Sequence, residues 1–274
     1  PLPEVPNQPP PGSLVMIDNF EQSHQDAGHG NVGAFAARQH GFRGNIYAEK
    51  AGPDVLTQKP DTMATRESLN EPQTPEYTRR ALQDFSRQNH RDLLQGLAGD
   101  MDKLQGLGLK DSAVNISMGT SPLRMANQIL GEVREGTNPA SDNFQFSQNV
   151  LKAYNIDVAK LSSPDPKVSG PERNRLQQSL LTATQAGADS PEVAQARSQY
   201  DQAVTKLQAQ NNSVVVSAGN DQQITSDWTQ EAQGIAPQVG PQANRNVLDN
   251  SAVTTVGATQ WLRGSQGLSE RVAP

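Results

Sequence analysis

The sequence predicts an α/β fold: a doubly wound, mainly parallel sheet that carries a helical hairpin insertion. Short runs rich in β-branched residues recur from end to end, at residues 13–18, 44–50, 113–118, 213–217 and 252–257. Helical-looking stretches fall between them, and strands that alternate with helices pair in parallel beneath helices on both faces. Thr74-Pro75 and Ser190-Pro191 mark helix starts within those connections. Each is a hydroxyl N-cap followed by proline at the first helical position, where a missing N–H costs nothing.

Residues 1–12, with Pro1, Pro3, Pro6, Pro9, Pro10 and Pro11, read as an extended linker. Residues 13–274 form the domain. The first strand carries Val15 and Ile17 and stops at Asp18-Asn19. A helix follows from about His29, and its Gly33, Ala34, Ala36 and Ala37 are small enough to bring it close to a sheet. The second strand is 44–50. From Thr74-Pro75 onward, Tyr77, Ala81, Phe85, Leu93, Leu97 and Met101 keep helical spacing, while Gly96, Gly99, Gly106 and Gly108 weaken the far end. The third strand is 113–118. Residues 120–212 read as an insertion. Within it Ser169-Gly170-Pro171-Glu172 is a capping box leading into Leu176 and Leu180. Asp189-Ser190-Pro191-Glu192 opens a second helix with Val193, Arg197, Tyr200, Val204 and Leu207 on one face. The expected hairpin spans about residues 171–210, either packed on the side of the domain or serving as an arm for a partner. The fourth and fifth strands, 213–217 and 252–257, follow.

Composition fits one large domain better than two small ones. Of 274 residues 34% are apolar and 22 are glycine, enough for a core; 29 glutamines dilute it. The net charge of −6, with no basic run, argues against nucleic acid as a partner. The absence of cysteine excludes disulfides and thiolate metal sites. No apolar run reaches membrane-spanning length, so no membrane partner is expected. The chain opens on Pro1 rather than Met and reads as a fragment or a processed form. No glycine-rich phosphate loop follows the first strand, which argues against nucleotide binding. His24, His40 and His90 have no motif around them and are expected in solvent.

Sites in parallel α/β sheets form outside the carboxyl ends of the strands. Asp18, Gly119 and Asn220 all fall at such ends. Asp18 closes Val15-Met16-Ile17-Asp18, and His29 opens His29-Gly30-Asn31-Val32. Ser117-Met118-Gly119 closes the third strand, and Asn220 closes Ser217-Ala218-Gly219-Asn220. Val253-Thr254-Thr255-Val256-Gly257-Ala258 and Val272-Ala273-Pro274 come after them. In this order the motifs resemble those of the subtilisin-like serine proteases (subtilases, peptidase S8-like). The resemblance covers roughly residues 13–119 and 213–274.

The resemblance implies a subtilisin-like fold and a hydrolase that cleaves peptide bonds with a catalytic triad. Asp18 would fix the tautomer of His29. His29 would act as general base and then general acid, and the Asn220 amide would donate to the oxyanion. Ser117, Met118 and Gly119 would pair with a peptide substrate as an added strand. Ser217, Ala218 and Gly219 would wall the other side of the primary specificity pocket. Many subtilases hold structural calcium, but no Asp-x-Asp-x-Asp-Gly loop is present here, so neither a metal nor another cofactor is expected. The family also suggests a secreted or cell-envelope location.

The departures are specific. Asp18 is followed by Asn19-Phe20, and the His motif lacks its usual threonine and second histidine. Only eleven positions separate Asp18 from His29, so the strand and loop usual between them must be nearly deleted. The Gly-Thr-Ser-x-Ala nucleophile motif does not occur; Ser265 and Ser269 precede the Ala273-Pro274 landmark. Two functions therefore compete. One is the front portion of a serine endopeptidase whose serine lies beyond Pro274. The other is a catalytically inactive pseudoenzyme that binds peptides or proteins as a scaffold. If the chain folds as it stands, low stability, oligomerisation or a partner segment is expected to follow from sheet surface that the serine helix would otherwise bury.

Overall fold

The computed structural model describes residues 2–18, 20, 29–51, 60–217, 245–256, 259–264 and 267–272; His29 and the last two stretches are described through their backbone. Strand β1 is Leu14–Asp18, helix α1 His29–Gln39, β2 Ile46–Lys50, α2 Pro60–Glu67 and α3 Pro75–Gly106. Then come β3 Ala113–Ile116, α4 Pro122–Glu135, α5 Phe144–Ala153, α6 Val158–Leu161, α7 Pro166–Ala188 and α8 Pro191–Gln208. The chain continues through β4 Ser213–Ser217, β5 Thr254–Val256, β6 Thr259–Gly264 and β7 Gly267–Val272.

Strands β1 to β5 form one sheet in the order β2-β1-β3-β4-β5, and every pair in it is parallel. Strands β6 and β7 make a separate antiparallel pair. The chain leaves β1 for β2 on one side and then returns to β3 on the other. Strand order therefore reverses between β1 and β3, and the carboxyl ends of those two strands flank the switch point.

Alternation along each strand decides what lies on each face. Val15 and Ile17 of β1, Val114 and Ile116 of β3, and Val214 and Val216 of β4 pack with Leu94, Leu97 and Met101 of α3. Val193, Tyr200 and Val204 of α8 complete that core. Met16 faces the other way, onto Ala34 of α1 and Ile46 of β2. Helices thus cover both faces around β1, as the alternating pattern predicts.

The proline-rich start bends at Asn7-Gln8 and turns at Pro11-Gly12, and it is docked on the domain. Ala48 N–H donates to Pro3 C=O at 2.8 Å, Glu4 bridges Ala48, and Gln8 N–H donates to Leu107 C=O at 2.8 Å. The contacts at Ala48 lie on the outer edge of β2, where an open row of backbone groups would invite pairing with other chains.

Helix α3 links two cores. At 32 residues it is about 48 Å long. Its last turns pack under the sheet, while Ala81 and Leu82 join α4, α5 and α7 in a second, all-helical core around Phe146, Leu130 and Leu180. Ser86, Asn89, His90 and Asp92 are buried at the seam between the two. His90, expected in solvent, is therefore wholly enclosed. His40 is exposed, and His24 lies outside the described residues.

Two helix boundaries differ from the sequence reading. Helix α3 runs through Gly96 and Gly99 to Gly106. A mid-helix glycine costs about 1 kcal/mol, and burial of Leu93, Leu94, Leu97, Met101 and Leu104 outweighs it. Its first stripe residue, Tyr77, is 44% exposed because it lies ahead of the point where α3 meets its neighbours. Helix α7 starts at Pro166, five residues before the expected Pro171, because Asp165-Pro166 is itself an N-cap and first-turn pair. The Asp165 carboxylate accepts from Lys167 N–H at 2.9 Å, and Pro171 sits inside the helix. Helix α8 starts as expected, capped by the Ser190 hydroxyl. It is not an appendage, since its apolar face fills the core beneath the sheet.

Candidate functional site

The site is built at the carboxyl ends of β1, β3 and β4. Asp18 ends β1 and is buried. By alternation its side chain lies on the same face as Met16, the face that α1 covers. His29 is the first residue of α1. Gly33 of the same helix lies so close that a β-carbon there would come within 2.7 Å of the Met16 methyl. One turn earlier, a β-carbon on Gly30 would overlap the Phe20 ring, with 2.7 Å to Cζ. These close approaches explain why the start of the helix is rich in small residues. They set the first turns of α1 against the side chains of Met16 and Phe20, which flank Asp18 in the sequence.

Asp18 is the register partner of Lys50, and neither residue is without an interaction partner. The Asp18 carbonyl also accepts from Ala51 N–H at 3.1 Å. The strand end is thus held from two sides.

Across the switch point, β3 ends at Ile116, two residues before the expected 118. Its last register partners are Ile17 and Val216, so residues 117–119 run on past the paired sheet. Asn115 donates its side-chain N–H to the Ser117 hydroxyl at 2.7 Å, Met118 packs partly into the core, and Ser121 caps α4. Gly119 meets the buried carboxamide of Asn246 so closely that any β-carbon would overlap it. The Asn246 amide donates to Ser217 C=O at 2.6 Å, its oxygen accepts from Leu248 N–H at 3.1 Å, and Val247 N–H donates to Thr120 C=O at 2.8 Å. Asn246 therefore ties the segment after β3 to the end of β4.

Of the residues singled out in the sequence, Asp18, Ser117, Met118, Gly119 and Ser217 lie at the carboxyl ends of β1, β3 and β4, and His29 opens α1. Ala218, Gly219 and Asn220 lie outside the described residues, as do Gly257, Ala258, Ala273 and Pro274. Val272 lies on β7 of the antiparallel pair. Asn246 was not singled out: it stands in Asn244-Arg245-Asn246-Val247, which has no periodicity and no motif.

Among the described residues, no group of three or more His, Cys, Asp or Glu side chains could hold a metal ion, and no helix is long and apolar enough to cross a membrane. Comparisons with models of protein families, with curated proteins and with solved structures find no match for this chain.

Proposed function

We propose that the chain carries the Asp–His pair, the oxyanion donor and the substrate-binding walls of a subtilisin-like serine endopeptidase. One observation carries the reading: Asp18 stands buried at the carboxyl end of β1, on the face covered by α1, and His29 is the first residue of that helix. In the proposed chemistry Asp18 orients the imidazole of His29. His29 takes the proton of a serine hydroxyl and later returns it to the leaving amine. The Asn220 amide donates to the oxyanion. Residues 117–119, running on past the paired sheet, are free of a neighbouring register and suit an added peptide strand.

No serine of these 274 residues stands in the Gly-Thr-Ser-x-Ala context. The nucleophile in this reading comes from sequence that follows Pro274. A chain extended by that sequence is expected to react with a serine-directed fluorophosphonate, and His29→Ala is expected to abolish labelling. Labelling that survives His29→Ala refutes the assignment.

A second reading, a catalytically inactive domain that binds peptides, draws on Asn246. Its carboxamide fills the space between Gly119 and Ser217, where the primary specificity pocket would open. This reading expects peptides to bind along 117–119 and to remain uncut. Cleavage of any peptide by the extended chain removes it.

A further inference from the structure

The outer edge of β2 is paired with a short segment of the chain itself. Ala48 N–H donates to Pro3 C=O at 2.8 Å, and Glu4 bridges Ala48 in parallel register, so the residues around Glu4 add a one-bridge strand beside β2. Leu2 packs with Met16, Ala34 and Ile46 on the α1 face of the sheet. Val5 packs against the core that lies under the other face. Both side chains are only partly buried. Farther along, Gln8 N–H donates to Leu107 C=O at 2.8 Å. Five of residues 2–11 are prolines, which have no N–H to offer a neighbouring strand. Among the described residues, the hold on this arm is therefore light, and lightly held segments are the ones that open most readily.

Pro9-Pro10-Pro11-Gly12 joins the arm to Ser13, which is buried and donates its N–H to the Ser112 hydroxyl at 3.1 Å. Pro10, Pro11 and Gly12 are exposed. Two bends in this stretch fold the arm back onto its own β2. One is at Gly12, φ +75°, a residue that leaves this conformation freely. The other is at Gln8, φ +55°, left-handed backbone that a residue with a β-carbon adopts only under strain. The strain belongs to the return path and not to the docking of Leu2, Pro3, Glu4 and Val5.

We infer that the β2 edge also receives residues 2–5 of a second copy, so that two copies of the chain exchange arms and form a dimer. Exchange keeps every contact of those four residues, because the incoming segment is identical, and it lets the backbone at Gln8 relax. An unrelated strand would have to match two apolar side chains, one on each face of the sheet, to hold as well. The closed form competes through its tether, which gives the arm an effective concentration of about 1 mM. Exchange therefore grows with protein concentration.

The chain has no cysteine, so an introduced pair reports a single contact. Glu4→Cys and Ala48→Cys are placed in two separate chains, mixed at ~0.5 mM and equilibrated in a glutathione redox buffer. Residues bridged in a sheet lie within disulfide range. The mixture is expected to yield a covalent heterodimer, at least about tenfold more than Glu4→Cys forms with Thr182→Cys, an exposed position on α7. A chain carrying both Glu4→Cys and Ala48→Cys is expected to close on itself when dilute. The inference is overturned if that chain closes while the heterodimer stays at the level of the Thr182→Cys control. It is equally overturned if the bond forms in neither, because the arm is then not seated on β2. A cysteine peptide with residues 2–8 in scrambled order is the remaining control. If it bonds Ala48→Cys equally well, the edge takes any strand and a second copy is not its occupant. Should a cysteine variant fold poorly, sedimentation of the unmodified chain decides: its dimer fraction is expected to rise between ~10 µM and ~0.5 mM and to be lost in Val5→Ser. A monomer throughout, or a dimer that survives Val5→Ser, overturns the inference.

Discussion

At the scale of single residues, the strand-end crevice depends on one contact that the sequence did not mark. Gly119 carries no side chain because the Asn246 carboxamide occupies the space, and that carboxamide is fixed by Ser217 and Leu248. Gly119→Ala must push Asn246 off these partners. It is expected to destabilise the fold by about 1–3 kcal/mol, through overpacking and a lost buried hydrogen bond. Asn246→Ala removes the obstacle, so Gly119→Ala should cost less in that background. Urea melts of the four proteins check the coupling, and additive costs would mean that Gly119 and Asn246 do not share this space. The candidate residues at strand ends were legible because a parallel sheet brings strand ends together wherever the strands lie in the sequence. Asn246 and His90 were not legible. Their roles come from packing between segments far apart in the chain, which neither spacing nor composition encodes.

At the scale of elements, helix starts were read best where the cap could be seen in the sequence. Thr74 and Ser190 accept from Tyr77 and Val193 N–H as their Thr-Pro and Ser-Pro pairs predict. Helix α7 offered two such signals, and the chain uses the earlier one. The Asp165 carboxylate caps it, while the Ser169 hydroxyl donates back to Asp165 C=O at 3.2 Å. Asp165→Ala is therefore expected to cost about 0.5–2 kcal/mol and Ser169→Ala clearly less. Equal costs, or the reverse order, in thermal melts would return the cap to Ser169. Helix ends were harder to read, because the glycines inside α3 argue against helix locally while long-range burial decides for it. The same asymmetry holds where α7 crosses α3. A β-carbon on Gly187 would overlap the Gln83 carbonyl and come within 2.8 Å of Arg87 N. Both are helical backbone and cannot step aside, so Gly187→Ala is expected to loosen the crossing and lower the melting temperature. An unchanged melt would show that the two helices can separate at little cost.

At the scale of the whole molecule, the parallel α/β class followed from the alternation of strands and helices, and the sheet's neighbour order did not. Nothing in the β-branched runs says that β3 lies beside β1 rather than beside β2; that depends on which way each connection crosses. The seam between the two cores was invisible for the same reason, and α3, which runs through it, carries a consequence for pH. Two groups on α3, the wholly buried His90 and the partly buried Asp100, titrate far from their usual ranges, in opposite directions. Asp100 is pushed up to about 7 by burial and by the nearby Glu49, against the pull of Lys103. His90 is held down at about 4 by burial, with Arg197 lowering it further, against its bond to Ser86 and the pull of Asp189. For Asp100 the folded state binds the proton more tightly, so its contribution to stability is full below about 4 and is lost as pH rises toward 7. For His90 the unfolded state binds the proton more tightly, so stability is lost as pH falls from about 6.5 toward 4. Across roughly pH 4 to 6.5 one proton is held on Asp100 in the folded chain and one on His90 in the unfolded chain, and these two slopes cancel. Single substitutions separate them. Relative to the parent, Asp100→Asn is expected to make stability rise with pH across this window, because the His90 contribution stands alone. His90→Gln is expected to make it fall, because the Asp100 contribution stands alone. Denaturant midpoints measured at intervals from pH 4 to 7 decide the matter. If both variants keep the parent's pH slope, the two groups titrate alike in the folded and unfolded chains, and α3 does not hold them as the structure indicates.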